Sequence, residues 1–164
     1  MLSIPAVKAE KIEKNAIGVR LGISNFNEKD FLSYELFGRY GLPWYWEVGR
    51  NKNWNIQTML SYSLGGLTQS DDTGFLATSG PVISFSNVPT GLIFDAGGGI
   101  AFLSKERVGK HNFGGNFQFT LHAGVSYKVY KNLAVGYRFF HISDAGINNG
   151  KGLNRHLIEL SYRF

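Results

Sequence analysis

No cysteine occurs among the 164 residues. Disulfides are therefore excluded, and stability must come from packing and backbone hydrogen bonding. No apolar run approaches the roughly 18 residues that a membrane-spanning helix needs, which excludes helical membrane spanning. The glycines at 97–99 sit within a strand-like stretch with no helix after them, so nothing cradles a nucleotide phosphate. Four histidines show no ligand spacing, and Asp71-Asp72 is a lone acidic pair. Neither a metal nor a cofactor is expected.

What is present is aromatic, glycine-rich and evenly interleaved. Aromatics reach 15% and there are 21 glycines. Apolar residues make up 43%, yet mean hydropathy is only −0.12, as in a chain that alternates apolar and polar positions. The net charge of +5 suits nucleic acid or an anionic membrane. No nucleic-acid motif accompanies it, so phosphorylated lipids are the better match.

From Ile17 the alternation is nearly continuous. Ile17, Val19, Leu21 and Ile23 oppose Gly18, Arg20, Gly22 and Ser24. Seven further segments follow, each of about the length that crosses a bilayer at a tilt. The fourth, near Phe75–Ser86, is the weakest, because Gly80 and Pro81 interrupt it. Gly41-Leu42-Pro43, Val88-Pro89-Thr90 and Lys131-Asn132 are read as connections at one end, with Trp44, Tyr45 and Trp46 forming an interfacial girdle. Connections at the other end are long and polar, especially Ser104–Asn116 and Asp144–Gly152. Short turns at one end and long loops at the other mark an outer-membrane barrel.

The face opposite the aromatics decides the class. It carries Arg20, Glu35, Arg39, Asp95, Arg138, Glu159 and Arg163 among glycines and hydroxyls. A soluble barrel would put apolar residues inside. Charges that pair in a narrow lumen, with lipid on the aromatic face, predict an all-β, eight-stranded antiparallel transmembrane β-barrel over residues 16–164. Residues 1–15 are expected to be a leader remnant or periplasmic segment, because Val7-Lys8-Ala9 resembles the end of a signal-peptidase site. The ending Tyr162-Arg163-Phe164 resembles the C-terminal signal read by outer-membrane assembly machinery.

His141-Ile142-Ser143-Asp144-Ala145-Gly146 carries the chemistry. His141 and Ser143 share a strand face, roughly 6.5 Å apart at their alpha carbons. They continue the lipid-facing stripe of Tyr137 and Phe139, where polar groups are costly. With both termini periplasmic, the seventh strand runs outward, so the pair lies near the outer leaflet. Asn154 falls at the same level on the last strand. Ser143 supplies a hydroxyl nucleophile, His141 a base, and Asn154 a group to orient that base.

This stretch resembles the PagL-type lipid A 3-O-deacylase family, whose motif runs His-x-Ser-Asn-Ala-Gly before a final strand. The resemblance implies an outer-membrane esterase that removes the ester-linked 3-acyl chain of lipid A, without a cofactor, at the outer leaflet. It assigns Ser143 as nucleophile and His141 as general base. The family's orienting Glu aligns with Asn154, allowing one deleted residue, and its motif Asn aligns with Asp144. An ionised Asp144 cannot donate to an oxyanion and would repel it, so backbone N–H groups of Ala145 or Gly146 are expected to serve. On that reading an Asn at 144 would speed the reaction. His156 reads as an interfacial residue and His122 as a lumen residue. Lys105, Arg107 and Lys110 are candidates to hold the phosphates of lipid A. The alternative is a catalytically silent barrel with an adhesive, structural or lipid-binding role. Asp144 and Asn154 favour that alternative; the His141–Ser143 pair favours the esterase.

Overall fold

Alternation of period two turns one set of side chains to each face of every strand, and in this computed structural model that pattern closes into a barrel. The structure describes residues 14–24, 31–49 and 51–164. The strands are β1 (Ala16–Ser24), β2 (Phe31–Val48), β3 (Trp54–Gln69), β4 (Asp72–Asn87) and β5 (Leu92–Leu103). A two-residue hairpin, β6 (Arg107–Val108) and β7 (His111–Asn112), precedes β8 (Phe117–Tyr130), β9 (Leu133–Ser143) and β10 (Leu153–Arg163). Eight of these form a closed barrel in the order β1-β10-β9-β8-β5-β4-β3-β2, and β6 and β7 pair only with each other. Pairing runs from Ala16↔Arg163 to Ser24↔Arg155 where the first and last strands meet. Asn15 and Phe164 then exchange two backbone hydrogen bonds of 2.9 Å. Closure leaves no open edge, as a bilayer requires. Of the expected leader segment, residues 1–13 lie outside the described residues.

The two faces divide as the alternation requires. Leu21 is 61% exposed and its neighbour Arg20 only 3%. A network of ion pairs fills the middle of the lumen. Glu35 lies 2.6 Å from both Arg20 and Arg155. Glu159 lies 2.7 Å from both Arg39 and Arg138, and Asp95 also meets Arg138. Arg20 and Arg155 additionally lie over the Phe140 ring. His122 Nδ1 is 2.8 Å from an Arg138 nitrogen; because a guanidinium only donates, this Nδ1 must accept.

Three expectations are corrected. Gly41-Leu42-Pro43 is a bulge inside β2 rather than a connection: β2 advances from Gly41 to Tyr45 while β3 advances only from Met59 to Gln57. Pro43 has no N–H to donate, so a bulge suits it. Trp44 and Trp46 still face outward, while the Tyr45 hydroxyl donates to Asn55 Oδ1 at 2.9 Å. Gly80 and Pro81 interrupt the fourth strand as read from the sequence, but on one side only. β4 stays paired with β3 through both, and its ladder to β5 skips only them, between Ser79↔Ile100 and Val82↔Gly97. Backbones approach closely there, since a Cβ on Gly80 would lie 2.1 Å from the Gly98 carbonyl oxygen. Second, the lumen is not polar throughout. At the end bearing the long loops, Phe31, Leu67, Leu76, Leu103, Ile142 and Leu153 form an apolar cluster, closed by Val108 and Phe113 from the loop between β5 and β8. Third, the loop joining β3 to β4 at that end is tight rather than long, with Gln69 facing Asp72.

Such a barrel in detergent is expected to give an almost pure β signature by circular dichroism and to migrate faster unheated than boiled on electrophoresis. A substantial helical signal would contradict the fold.

Candidate functional site on the lipid face

Parity along β9 sets the site. Ala134, Arg138, Phe140 and Ile142 turn into the lumen, whereas Tyr137 and Phe139 turn outward. His141 and Ser143 continue the outward set and are both half-buried. Asn154 lies directly across from His141 on β10, and Ser143 lies across from Phe119 on β8. His141 Nδ1 and Asn154 Oδ1 are 2.7 Å apart. With the amide oxygen as acceptor, Nδ1 carries the hydrogen and Nε2 keeps its lone pair, the tautomer a base needs. The ring packs over Gly152: a Cβ there would lie 3.0 Å from the ring Cε1 and 3.5 Å from Nε2. Glycine thus leaves space for the imidazole where a side chain would push it.

The segment after Ser143 is held by Asp144. Its carboxylate accepts 2.9 Å hydrogen bonds from the backbone N–H groups of Gly146, Asn148 and Gly150. Ala145 and Gly146 take positive φ angles of 55° and 80°, so the chain reverses sharply within two residues. The loop is also bound to its neighbour. Lys151 N donates to Asn112 O, and His111 Nε2 donates to Lys151 O, both at 2.9 Å. Gly150 passes so near Phe113 that a Cβ would lie 1.9 Å from its carbonyl oxygen.

Asp144 therefore has a different place from the one its motif position implied. It is a buried acceptor that organises the loop. Of the two expected oxyanion donors, the Gly146 N–H is already given to Asp144. Three donors, with Gly150 the strongest and then Asn148 and Gly146, hold the Asp144 carboxyl below the usual carboxylate range. A lowered folded pKa contributes stability above the ordinary value and loses it as pH falls through the lowered one. The loop is accordingly expected to be held at neutral pH and to loosen in acid. Asp144→Asn would turn an amide NH₂ or a single oxygen toward three N–H donors. The expected result reverses the sequence reading: activity falls about ten- to a hundredfold from lost positioning, with the barrel intact, as a rate assay beside an unheated gel would show.

Other site residues are less closely gathered. Lys105 is paired with Asp72 at 2.5 Å, while Arg107 and Lys110 are exposed on the β6–β7 hairpin. His156 faces outward two residues beyond Asn154 on β10, with Nδ1 2.5 Å from the Tyr137 hydroxyl. Among the described residues no group of three or more His, Cys, Asp or Glu side chains could hold a metal ion. Two contributors were missed from sequence. Arg155 is fully buried against Glu35; counting back in twos from Glu159 and Leu157 would have found it. Gly152 gives no sequence signal beyond being a glycine at the end of a loop.

A closed barrel with a charged lumen and an apolar exterior, on which His141 and Asn154 meet and Ser143 lies two residues further along the same face, defines a transmembrane barrel. Residues 32–163 match the family described as Lipid A 3-O-deacylase (PagL), and the chain belongs to that family. The crystal structure of the outer membrane enzyme PagL superposes with a TM-score of 0.79 at 18% identity, covering 91% of this chain and 99% of that one. A designed transmembrane β-barrel gives 0.59 at 15% identity, covering 94% and 98%. The Yersinia pestis outer membrane protein Ail in a phospholipid nanodisc gives 0.56 at 12% identity, covering 93% and 100%. No curated protein sequence matches the chain. The fold is thus that of the outer-membrane barrels.

Proposed function

We propose that the protein is an esterase that removes the ester-linked 3-acyl chain of lipid A, with Ser143 as nucleophile and His141 as general base. The observation that carries this reading is the His141–Asn154 hydrogen bond, which fixes the base on the same lipid-facing strand edge as Ser143. With both termini in the periplasm, the loop end lies at the outer leaflet, where lipid A resides, and substrate reaches the site by lateral diffusion.

In the proposed reaction Ser143 Oγ attacks the acyl carbonyl while His141 Nε2 takes its proton. The oxyanion forms next to the turn after Ser143, and the Ala145 N–H is the donor assigned to it. Collapse breaks the bond to the sugar oxygen, which leaves with the proton from His141. Water, activated by the same imidazole, then hydrolyses the acyl-serine and releases the fatty acid. Exposed Arg107 and Lys110 are assigned to the lipid phosphates, whereas Lys105 is already engaged by Asp72. Mass spectrometry of lipid A from cells with and without the protein tests the reading. Loss of one 3-linked chain is expected, and unchanged lipid A would contradict it.

Asn154 orients the imidazole but supplies no negative charge to the imidazolium. Asn154→Asp is nearly isosteric and adds that charge, so kcat is expected to rise about tenfold, about 1.4 kcal/mol off the barrier. Asn154→Leu should lower it. Equal rates in all three proteins would show that Asn154 takes no part.

A further inference from the structure

The lipid-facing wall is indented between β3, β4 and β5. A groove of about 260 Å³ lies there, walled by Tyr62, Leu64, Ile100, Phe102 and Phe117. Its floor is formed by the small residues Ala77 and Ser79. The walls are all well exposed outside the barrel, and the Phe102 and Phe117 rings meet edge to face at 5.3 Å. In a bilayer this surface meets hydrocarbon.

Strand register ties the groove to the site. Ser143 faces Phe119, Phe119 faces Ile100, Ile100 faces Ser79, and Ser79 faces Tyr62. All five belong to one cross-strand row. Three strand spacings separate Ser143 from Ser79, about 14 Å along the row. Ser143 ends β9, whereas Ser79 is near the middle of β4 (Asp72–Asn87), so the row descends from the loop end into the span. At a strand tilt of ~40°, the groove floor at Ser79 lies roughly 11 Å sideways from Ser143 and roughly 9 Å deeper. That depth is hydrocarbon. To lie on that floor the scissile chain, which starts at its own ester, would have to lean roughly 50° from the bilayer normal at that strand tilt, whereas a neighbouring chain enters it upright.

We infer that this groove seats a second acyl chain of the same lipid A molecule whose 3-linked ester lies at Ser143. The inference rests on the proposed esterase reading and adds its substrate selectivity: a multi-acylated glycolipid rather than a single-chain ester. A chain moving from bilayer to groove gains no hydrophobic energy, because lipid is equally apolar; the preference comes from van der Waals fit against fixed aromatic walls. The effect is therefore modest and falls on binding.

Two measurements test it. Ser79→Leu and, separately, Ala77→Phe fill the groove from the lipid side without touching His141, Ser143 or Asn154. KM for lipid A is expected to rise about fivefold with kcat unchanged, while hydrolysis of p-nitrophenyl octanoate stays at the parent rate. An unchanged KM in both variants, each folded by its unheated migration, would mean that bulk phospholipid fills the groove and would overturn the inference. The second measurement needs no turnover. Lipid A carrying a diazirine on an acyl chain of the sugar that does not bear the scissile ester is cross-linked to Ser143→Ala protein. Labelling concentrated on peptides from β4 and β5 supports the inference, and labelling spread around the barrel overturns it. Should the parent cleave neither substrate, the esterase reading fails alone and cross-linking still decides the groove.

Discussion

Replacing Ser143 with Ala is expected to lower lipid A deacylation by about 10³–10⁶-fold, as for nucleophiles that act as a unit with their base. His141→Ala should fall into the same range, because a serine hydroxyl without a base stays protonated at neutral pH. The double variant should be scarcely slower than either single one, since each change alone already disables the step they share. All three should fold. Both side chains face outward and half-buried, and neither takes part in strand pairing except through its backbone. An assay of released fatty acid over pH 5–9 makes the comparison. Additive losses in the double variant would show that the two residues act separately.

The second large effect lies inside the barrel. Glu159 meets Arg39 and Arg138 at 2.7 Å and lies 3.6 Å from Arg20. Glu159→Leu leaves three buried guanidinium groups with too little compensating charge. Breaking a buried pair by removing one partner costs about 3–5 kcal/mol, and a loss of that size is expected in the unfolding free energy of the barrel. Lys52→Ala is the natural control. Its pair with Glu47 is open to solvent, and exposed pairs contribute about 0–1 kcal/mol. Urea unfolding in detergent or lipid separates the two. Equal midpoints for both variants would mean that the lumen network contributes nothing beyond a surface pair.

The barrel was legible because a period of two is a strictly local signal, and lipid on one side with a lumen on the other makes it strong. Ile17 to Ser24 alternates as strictly in the structure as in the sequence. Where the sequence misled, the cause was non-local. Pro43 looked like the end of a strand because its missing N–H breaks a ladder, but the two extra residues of the bulge absorb it. The apolar lid of Val108 and Phe113 depends on a loop folding back over the barrel mouth, which no alternation reports. The outward parity of His141 and Ser143, and the level of Asn154 on the last strand, were legible from alternation and strand counting. Asp144 was not. Its three N–H partners lie two, four and six residues onward, in a loop whose path depends on contacts with residues 111–114. Charge alone made Asp144 look like an obstacle to an oxyanion, whereas the geometry turns that charge into the loop.

The most direct test of the esterase is the position of a covalent adduct. The folded protein is treated with a long-chain fluorophosphonate, which forms a stable bond with a serine activated by a neighbouring base, and the modified peptide is identified by mass spectrometry. One adduct is expected, on Ser143, lost in His141→Ala and retained in Glu159→Leu wherever that variant folds. A protein that cleaves lipid A while Ser143 remains unmodified, or that carries the adduct on another serine, would contradict it.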